Sequence, residues 1–286
     1  MKPIETCRVT VVGLGLMGGS LAGALRGKCG EVVGVARRTE TVSIALTQEL
    51  IDWGTTDLAE GVRKADVVVT ATPVRVIMRQ LKEIASLLSE GCLVMDIGST
   101  KAQIVSEMER LPAHVQPLGA HPMCGKELSG IEAADPALYQ NCTFILTPLP
   151  RTSEEALALG WRLAEAIGAR PLVLAPERQD FLVATLSHLP YLLACALVAT
   201  ADVTTSADPA AWEIVAGGFR DTSRVAGSDV TMMIDILMTG REDVLKAVGV
   251  YQVQLGNLAD LIETGDEDGL RAVLSRIREE RTRMFP

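Results

Sequence analysis

The apolar run Arg8-Val9-Thr10-Val11-Val12, followed at once by Gly13-Leu14-Gly15-Leu16-Met17-Gly18, constrains this chain more than any other feature. The spacing is G-x-G-x-x-G between a strand-like segment and a helix-like one. The first glycine permits a tight turn, the second lets the backbone approach a pyrophosphate, and the third allows a helix to pack closely on the strand. A helix opening at Leu16 and Met17 offers unpaired N–H groups and a positive dipole end to phosphates. A match in this context, strand before and helix after, predicts a dinucleotide-binding domain.

The rest of the first half repeats the alternation. Strands are expected at Glu31–Ala36, Ala65–Ala71, Cys92–Ile97, Val115–Gly119, Cys142–Thr147 and Arg170–Leu174. Helices are expected at Met17–Arg26, Thr41–Leu50, Val74–Leu88, Lys101–Arg110 and Ser153–Ile167. Continuous apolar stretches such as Val67-Val68-Val69 indicate strands buried on both faces, as in a parallel sheet covered by helices. The fold class is therefore α/β, a doubly wound and mostly parallel Rossmann-type sheet.

From Pro176 onward the character changes to helices alone. The expected division is a dinucleotide-binding domain at 1–175 and a helical substrate-binding and dimerisation domain at 176–286. Helices are expected at Phe181–Thr200, Val244–Ile262 and Asp268–Arg283. The first of these is so apolar that it needs cover on most sides, and a second copy of the chain would supply it, so a homodimer is expected.

Composition narrows the function. A hydrophobic share of 48% with 22% charged residues suits a globular protein with a real core. A net charge of −9 argues against a nucleic-acid partner, which calls for a basic patch. No stretch approaches the roughly 18 uninterrupted apolar residues of a membrane span, so no membrane partner is expected. The N-terminus carries no secretory pattern, and a cytoplasmic protein with reduced thiols is expected. The six cysteines include no C-x-x-C pair and the histidines number three, so no metal centre is expected.

The end of the second strand bears on the cofactor. A carboxylate there would hydrogen-bond the ribose 2′-OH of NAD. The sequence reads Ala36-Arg37-Arg38-Thr39 instead, and two guanidiniums suit a 2′-phosphate with nothing acidic placed to repel it. NADP is expected. The alternative is that both arginines are solvated surface residues and NAD is used. Thr72 and Pro73 follow another strand at the carboxyl edge, where open sheets of this class bind ligands.

Further motifs stand at such edges: Asp96-Ile97-Gly98-Ser99-Thr100-Lys101 and His121-Pro122-Met123-Cys124-Gly125. In the second half follow Ser187-His188-Leu189-Pro190 and Gly218-Phe219-Arg220-Asp221-Thr222-Ser223-Arg224. In this order they resemble the prephenate and arogenate dehydrogenase family, and most of all its compact cyanobacterial-type arogenate dehydrogenases. The likeness runs from Val9 to about Tyr251.

The resemblance implies oxidative decarboxylation of a cyclohexadienol acid on the route to tyrosine. Hydride leaves C4 for the nicotinamide while a neutral imidazole accepts the hydroxyl proton. The dienone then drains the electrons released by decarboxylation, and aromaticity is restored. His121 matches the family's catalytic histidine, and Ser99 the serine that holds hydroxyl and nicotinamide in register. His188 resembles a second substrate-pocket histidine, and Arg224 the arginine that grips a substrate carboxylate with its planar fork. Glu127 either helps bind substrate or orients His121. Arg220 and Asp221 either contact substrate or form an ion-pair network that positions Arg224. Lys101 either reaches the ligands or is solvated, and His114 is expected at the surface.

The sequence departs from the family at three places. Cys124 stands where many relatives have alanine, Gln179-Asp180 where they often have His-Asp, and Tyr191 where some have histidine. Arogenate with NADP is the leading reading, and prephenate giving 4-hydroxyphenylpyruvate is its neighbour. A β-hydroxyacid dehydrogenase and a non-catalytic dinucleotide sensor are more distant alternatives. A G-x-x-G-x-G-x-x-x-K-x-x-x-N helix is missing for the first, and a sensor has no need of a proton acceptor.

Overall fold

The computed structural model describes residues 2–284. The first region alternates as expected: β1 (Arg8–Val12), α1 (Leu16–Leu25), β2 (Glu31–Val35), α2 (Thr39–Thr47), β3 (Trp53–Thr55), α3 (Leu58–Val62), β4 (Val67–Thr70), α4 (Val74–Ile84), β5 (Leu93–Asp96), α5 (Ala102–Met108), β6 (Gln116–Pro122), β7 (Thr143–Pro148), α6 (Glu154–Ala166) and β8 (Arg170–Val173). The strands form one eight-stranded sheet in the order β3-β2-β1-β4-β5-β6-β7-β8. Every neighbouring pair is parallel except β6 with β7. The chain order reverses between β1 and β4, so a crevice opens at their carboxyl ends.

All four residues of β4 are buried, because helices cover both faces of the sheet. One core joins Val9, Val11, Leu21 and Leu25 to Leu159 and Leu163 beneath α1 and α6. The other joins Val68 and Val94 to Ile77, Leu81 and Ile104 beneath α4 and α5. The short β3 and α3 were not anticipated. Trp53-Gly54-Thr55 has no apolar run to announce it and is a strand because β2 is there to pair with it. The strand β6 also runs past its expected end at Gly119. Antiparallel pairing with β7 carries it through His121, opposite Ile145, to Pro122.

The helical region comprises α7 (Pro176–Val183), α8 (Leu189–Thr205), α9 (Gly217–Ser223), α10 (Val230–Thr239), α11 (Arg241–Glu263) and α12 (Glu267–Met284). The helix expected from Phe181 starts earlier, at Pro176, and is interrupted by a π-helical turn at Ala184–His188. The N–H of Leu189 bonds to the carbonyl of Ala184. Pro190 has no N–H, and its ring would clash with the carbonyl four residues back, so a widened turn precedes it. His188 closes that turn and is buried. Neither α9 nor α10 was anticipated.

One expectation is corrected. The helical run Pro176–Thr205, which holds an 18-residue stretch of mean hydropathy 1.9, is long and apolar enough to cross a membrane by length and composition alone. Charged residues gather at its start and leave an apolar stretch behind them. Only 22% of that stretch is buried inside the chain.

The two regions meet through polar contacts. The Asp180 carboxylate on α7 accepts the N–H of Lys101 at 2.7 Å and of Ala102 at 2.8 Å, satisfying orphan donors at the start of α5. Near the other end of α10, Thr239 Oγ1 lies 2.7 Å from Thr100 Oγ1, and the Thr239 carbonyl accepts from Gln103 at 3.1 Å. Asp235 accepts the Arg75 N–H at 3.2 Å at the start of α4.

Candidate active site

The crevice begins with the glycine turn. Gly13 has φ +106°, a conformation that disfavours side chains. A Cβ on Gly18 would sit 1.8 Å from the Gly13 carbonyl oxygen, so only glycine lets α1 come this close. At Gly15 a Cβ would meet nothing within 4 Å, which leaves the backbone open on the ligand side. A cleft of about 530 Å³ extends from Gly13 and Gly15 along Arg37 and Arg38 on one flank and Thr72 and Pro73 on the other. Leu16 is buried at the first turn of α1, and the Met17 carbonyl accepts the Tyr139 hydroxyl at 2.8 Å. These two residues therefore form the footing of the turn. The groups fit a dinucleotide, with a bare backbone at the turn and cationic side chains beyond it.

Two charged residues in this cleft escaped the sequence reading. Arg79 on α4 adds a third guanidinium, and Glu132, from the connection between β6 and β7, adds a carboxylate. The expectation of an arginine pair with nothing acidic near it is thus corrected. Local sequence around Arg37 shows no acid because the fold delivers one from a distant loop.

His121, next to last in β6, and His188, in the π turn, lie close to each other. Both are buried. Burial pushes the His121 imidazole down to about 3, helped by the nearby Lys101 and His188, while the Gln179 carboxamide pulls the other way. Burial alone pushes His188 down to about 4. The Nδ1 atoms of both rings lack a hydrogen bond of ordinary length. Each ring is therefore held neutral, with a free nitrogen.

Behind them lies a buried ion pair. Lys101, completely buried, bonds to Asp96 and to the Ala120 carbonyl at 2.6 Å, next to His121. Asp96 also accepts the N–H groups of Gly98 at 2.7 Å and Ala120 at 3.1 Å. Lys101 thus neither reaches solvent nor points at a ligand from the surface, and it ties β5 to β6 beneath the histidine. The D-x-G-S-x-K spacing was visible in sequence, but its two ends could not be seen to meet. Ser99, partly exposed, sits above this pair, and its carbonyl accepts from Gln179 at 3.3 Å. Gln179 was noted only as a departure, and here it faces both Ser99 and His121.

Arg224 forms an ion pair with Glu127, six residues beyond His121 in the chain. The two side chains are 61% and 34% exposed, so the guanidinium is accessible. Arg220 and Asp221 are exposed, and among the described residues neither makes an ion pair, whereas Arg224 pairs with Glu127. His114 is exposed, with Nε2 at 3.3 Å from the Leu88 carbonyl.

Comparison with known proteins agrees with this architecture. Residues 21–173 match the family model described as prephenate dehydrogenase, nucleotide-binding domain. Residues 175–276 match prephenate dehydrogenase, dimerization domain. The chain is 32% identical to a prephenate dehydrogenase of Bacillus subtilis over 92% of its own length and 72% of the relative's. A crystal structure of prephenate dehydrogenase from Aquifex aeolicus, in complex with hydroxyphenyl propionate and NAD+, superposes with a TM-score of 0.91 at 33% identity, covering 99% of this chain and 100% of that one. The arogenate dehydrogenase of Synechocystis superposes with a TM-score of 0.83 at 30% identity, covering 97% and 99%.

Proposed function

The chain belongs to the prephenate/arogenate dehydrogenase family, oxidoreductases with a nicotinamide-dinucleotide domain, and from that premise we propose that it oxidatively decarboxylates arogenate to tyrosine with NADP. The observation that carries the chemistry is the pair of buried, neutral imidazoles at the crevice where the two regions meet. When bound, the cofactor supplies the hydride acceptor.

His121 accepts the C4 hydroxyl proton as hydride leaves the same carbon. A proton acceptor must be unprotonated at working pH, and burial with Lys101 alongside keeps it so. Ser99 holds the hydroxyl, and Gln179 steadies both Ser99 and the imidazole. Arg224 exchanges Glu127 for the ring carboxylate of the substrate, a trade between two anions that preserves its charge pairing. The carbon dioxide then departs, and its bonding electrons restore the aromatic ring. His188, buried and neutral, supplies a second imidazole to the substrate pocket.

Arg37 and Arg38, supported by Arg79, favour a 2′-phosphate. Prephenate is the second reading, favoured by the relative from Bacillus subtilis, and NAD by the Aquifex complex. Comparing kcat/KM for arogenate and prephenate, each with NADP and NAD, tests all four combinations. Arogenate with NADP is expected to exceed the others at least tenfold. A constant for prephenate equal to that for arogenate overturns the substrate assignment, and equal use of NAD overturns the cofactor assignment. Arg37→Ala combined with Arg38→Ala is expected to raise KM for NADP and leave NAD little changed.

A further inference from the structure

The antiparallel pairing of β6 with β7 continues one step beyond the strands: the Met123 N–H bonds to the Thr143 carbonyl at 2.8 Å. The next residues along are Cys124 and Cys142, so the register sets them directly opposite each other. Each thiol is close enough to shift the other's titration. Both side chains are partly exposed, unlike Cys7 and Cys92, which are buried. Opposed residues of an antiparallel pair have Cα atoms about 4.5–5.5 Å apart, within the roughly 4.4–6.8 Å that a disulfide spans, so a bond forms without moving the strands far.

We propose that Cys124 and Cys142 form a redox-active dithiol that closes reversibly to a cross-strand disulfide at the rim of the active site. Its oxidant is a small disulfide of the glutathione class. The Cys142 thiol is held below its usual range by the neighbouring Cys124 thiol and the Arg170 guanidinium. Cys142 therefore attacks first: its thiolate bonds to one sulfur of the oxidant, and one thiol leaves. Cys124 then loses its proton and attacks the Cys142 sulfur, expelling the second thiol. Two protein thiols become one disulfide, and one oxidant disulfide becomes two thiols.

The position couples the bond to catalysis. Cys124 lies three residues after His121, and the bond would pin both ends of the segment that carries Glu127, the partner of Arg224. Cys142 follows Tyr139, whose hydroxyl supports Met17 at the cofactor turn. Oxidation therefore stiffens the segment that must release Arg224 to substrate, and slower turnover is the expected consequence. This consequence rests on the reading of Arg224 above, whereas formation of the bond does not.

The experiment treats the full-length protein with glutathione disulfide and digests it with trypsin, which cuts at Lys126 between the two cysteines. The expected result is a linked pair of peptides carrying Cys124 and Cys142, formed before any bond at Cys7 or Cys92. Turnover should fall at least fivefold, return on addition of dithiothreitol, and resist the oxidant in Cys142→Ser and in Cys124→Ser. Unlinked peptides under conditions that oxidise free glutathione-reactive thiols elsewhere in the chain overturn the proposal. Linked peptides with unchanged turnover overturn it as a device of the active site, whichever substrate the enzyme prefers.

Discussion

The nucleotide-binding region and the helical region solve the problem of burial differently. In the first, every strand from β1 to β7 finds helices of the same region on its faces, and β4 and β5 are buried at each residue. In the second, α8 buries only Leu189 and Ala194, α11 only Val244 and Ala247, and α12 nothing. Leu186, Val203, Val250, Val253 and Ile262 are each more than half exposed. Exposed apolar faces on this scale mark interaction surfaces, and the matching family model is described as a dimerization domain. One region is thus close to self-sufficient, while the other takes its stability from its neighbours. The proposed reacting groups lie where these two kinds of structure touch, His121 from the first and His188 from the second.

That difference can be tested most severely at the junction itself. His121→Asn keeps a hydrogen-bonding side chain of similar reach but cannot accept the proton. It is expected to lower kcat by about 10²–10⁴ while KM changes little. Steady-state kinetics decides, and near-normal kcat would remove His121 from the chemistry.

Asp180→Ala comes next, because it cuts the clasp without touching either core. The N–H groups of Lys101 and Ala102 lose their acceptor, at a cost of about 3 kcal/mol. Urea unfolding is expected to show the helical region loosening first. A single unshifted transition would mean that the regions do not depend on this contact.

The smallest effect, about 2 kcal/mol from a single histidine between pH 6.5 and pH 5, is expected from mild acid. Both histidines have folded values depressed below the ordinary 6.5, to about 3 and about 4. The unfolded chain therefore binds protons that the folded one refuses, and stability is lost as pH falls below 6.5 toward about 4. Each histidine should take about 1.4 kcal/mol per pH unit in that window. Comparing the wild type with His188→Gln by thermal unfolding at pH 7 and pH 5 isolates one share. An equal fall in Tm for both proteins would show that His188 carries none of it.

Legibility in the sequence follows the same division. The sheet was readable because its strands are short, apolar and separated by helices, a pattern that local sequence states directly. The glycine turn was readable because two of its demands are local: Gly13 takes a positive φ, and a Cβ on Gly18 would strike the Gly13 carbonyl oxygen. The motif ends at Ser99, His121, His188 and Arg224 could be picked out, yet not their neighbours. Nothing near Gln179 in sequence indicates that it faces Ser99, and nothing near Arg37 indicates that Glu132 lines the same cleft.

The sequence by itself determined the class of fold, the nucleotide turn and the residue types available for chemistry, since these rest on period, spacing and short-range sterics. Only the tertiary structure decided that Asp96 and Lys101 pair in the interior, that Asp180 caps α5, that Arg224 waits on Glu127, and that both histidines stay neutral. The physical reason is that charge pairing and desolvation depend on distances between residues far apart in the chain, and only packing sets those distances.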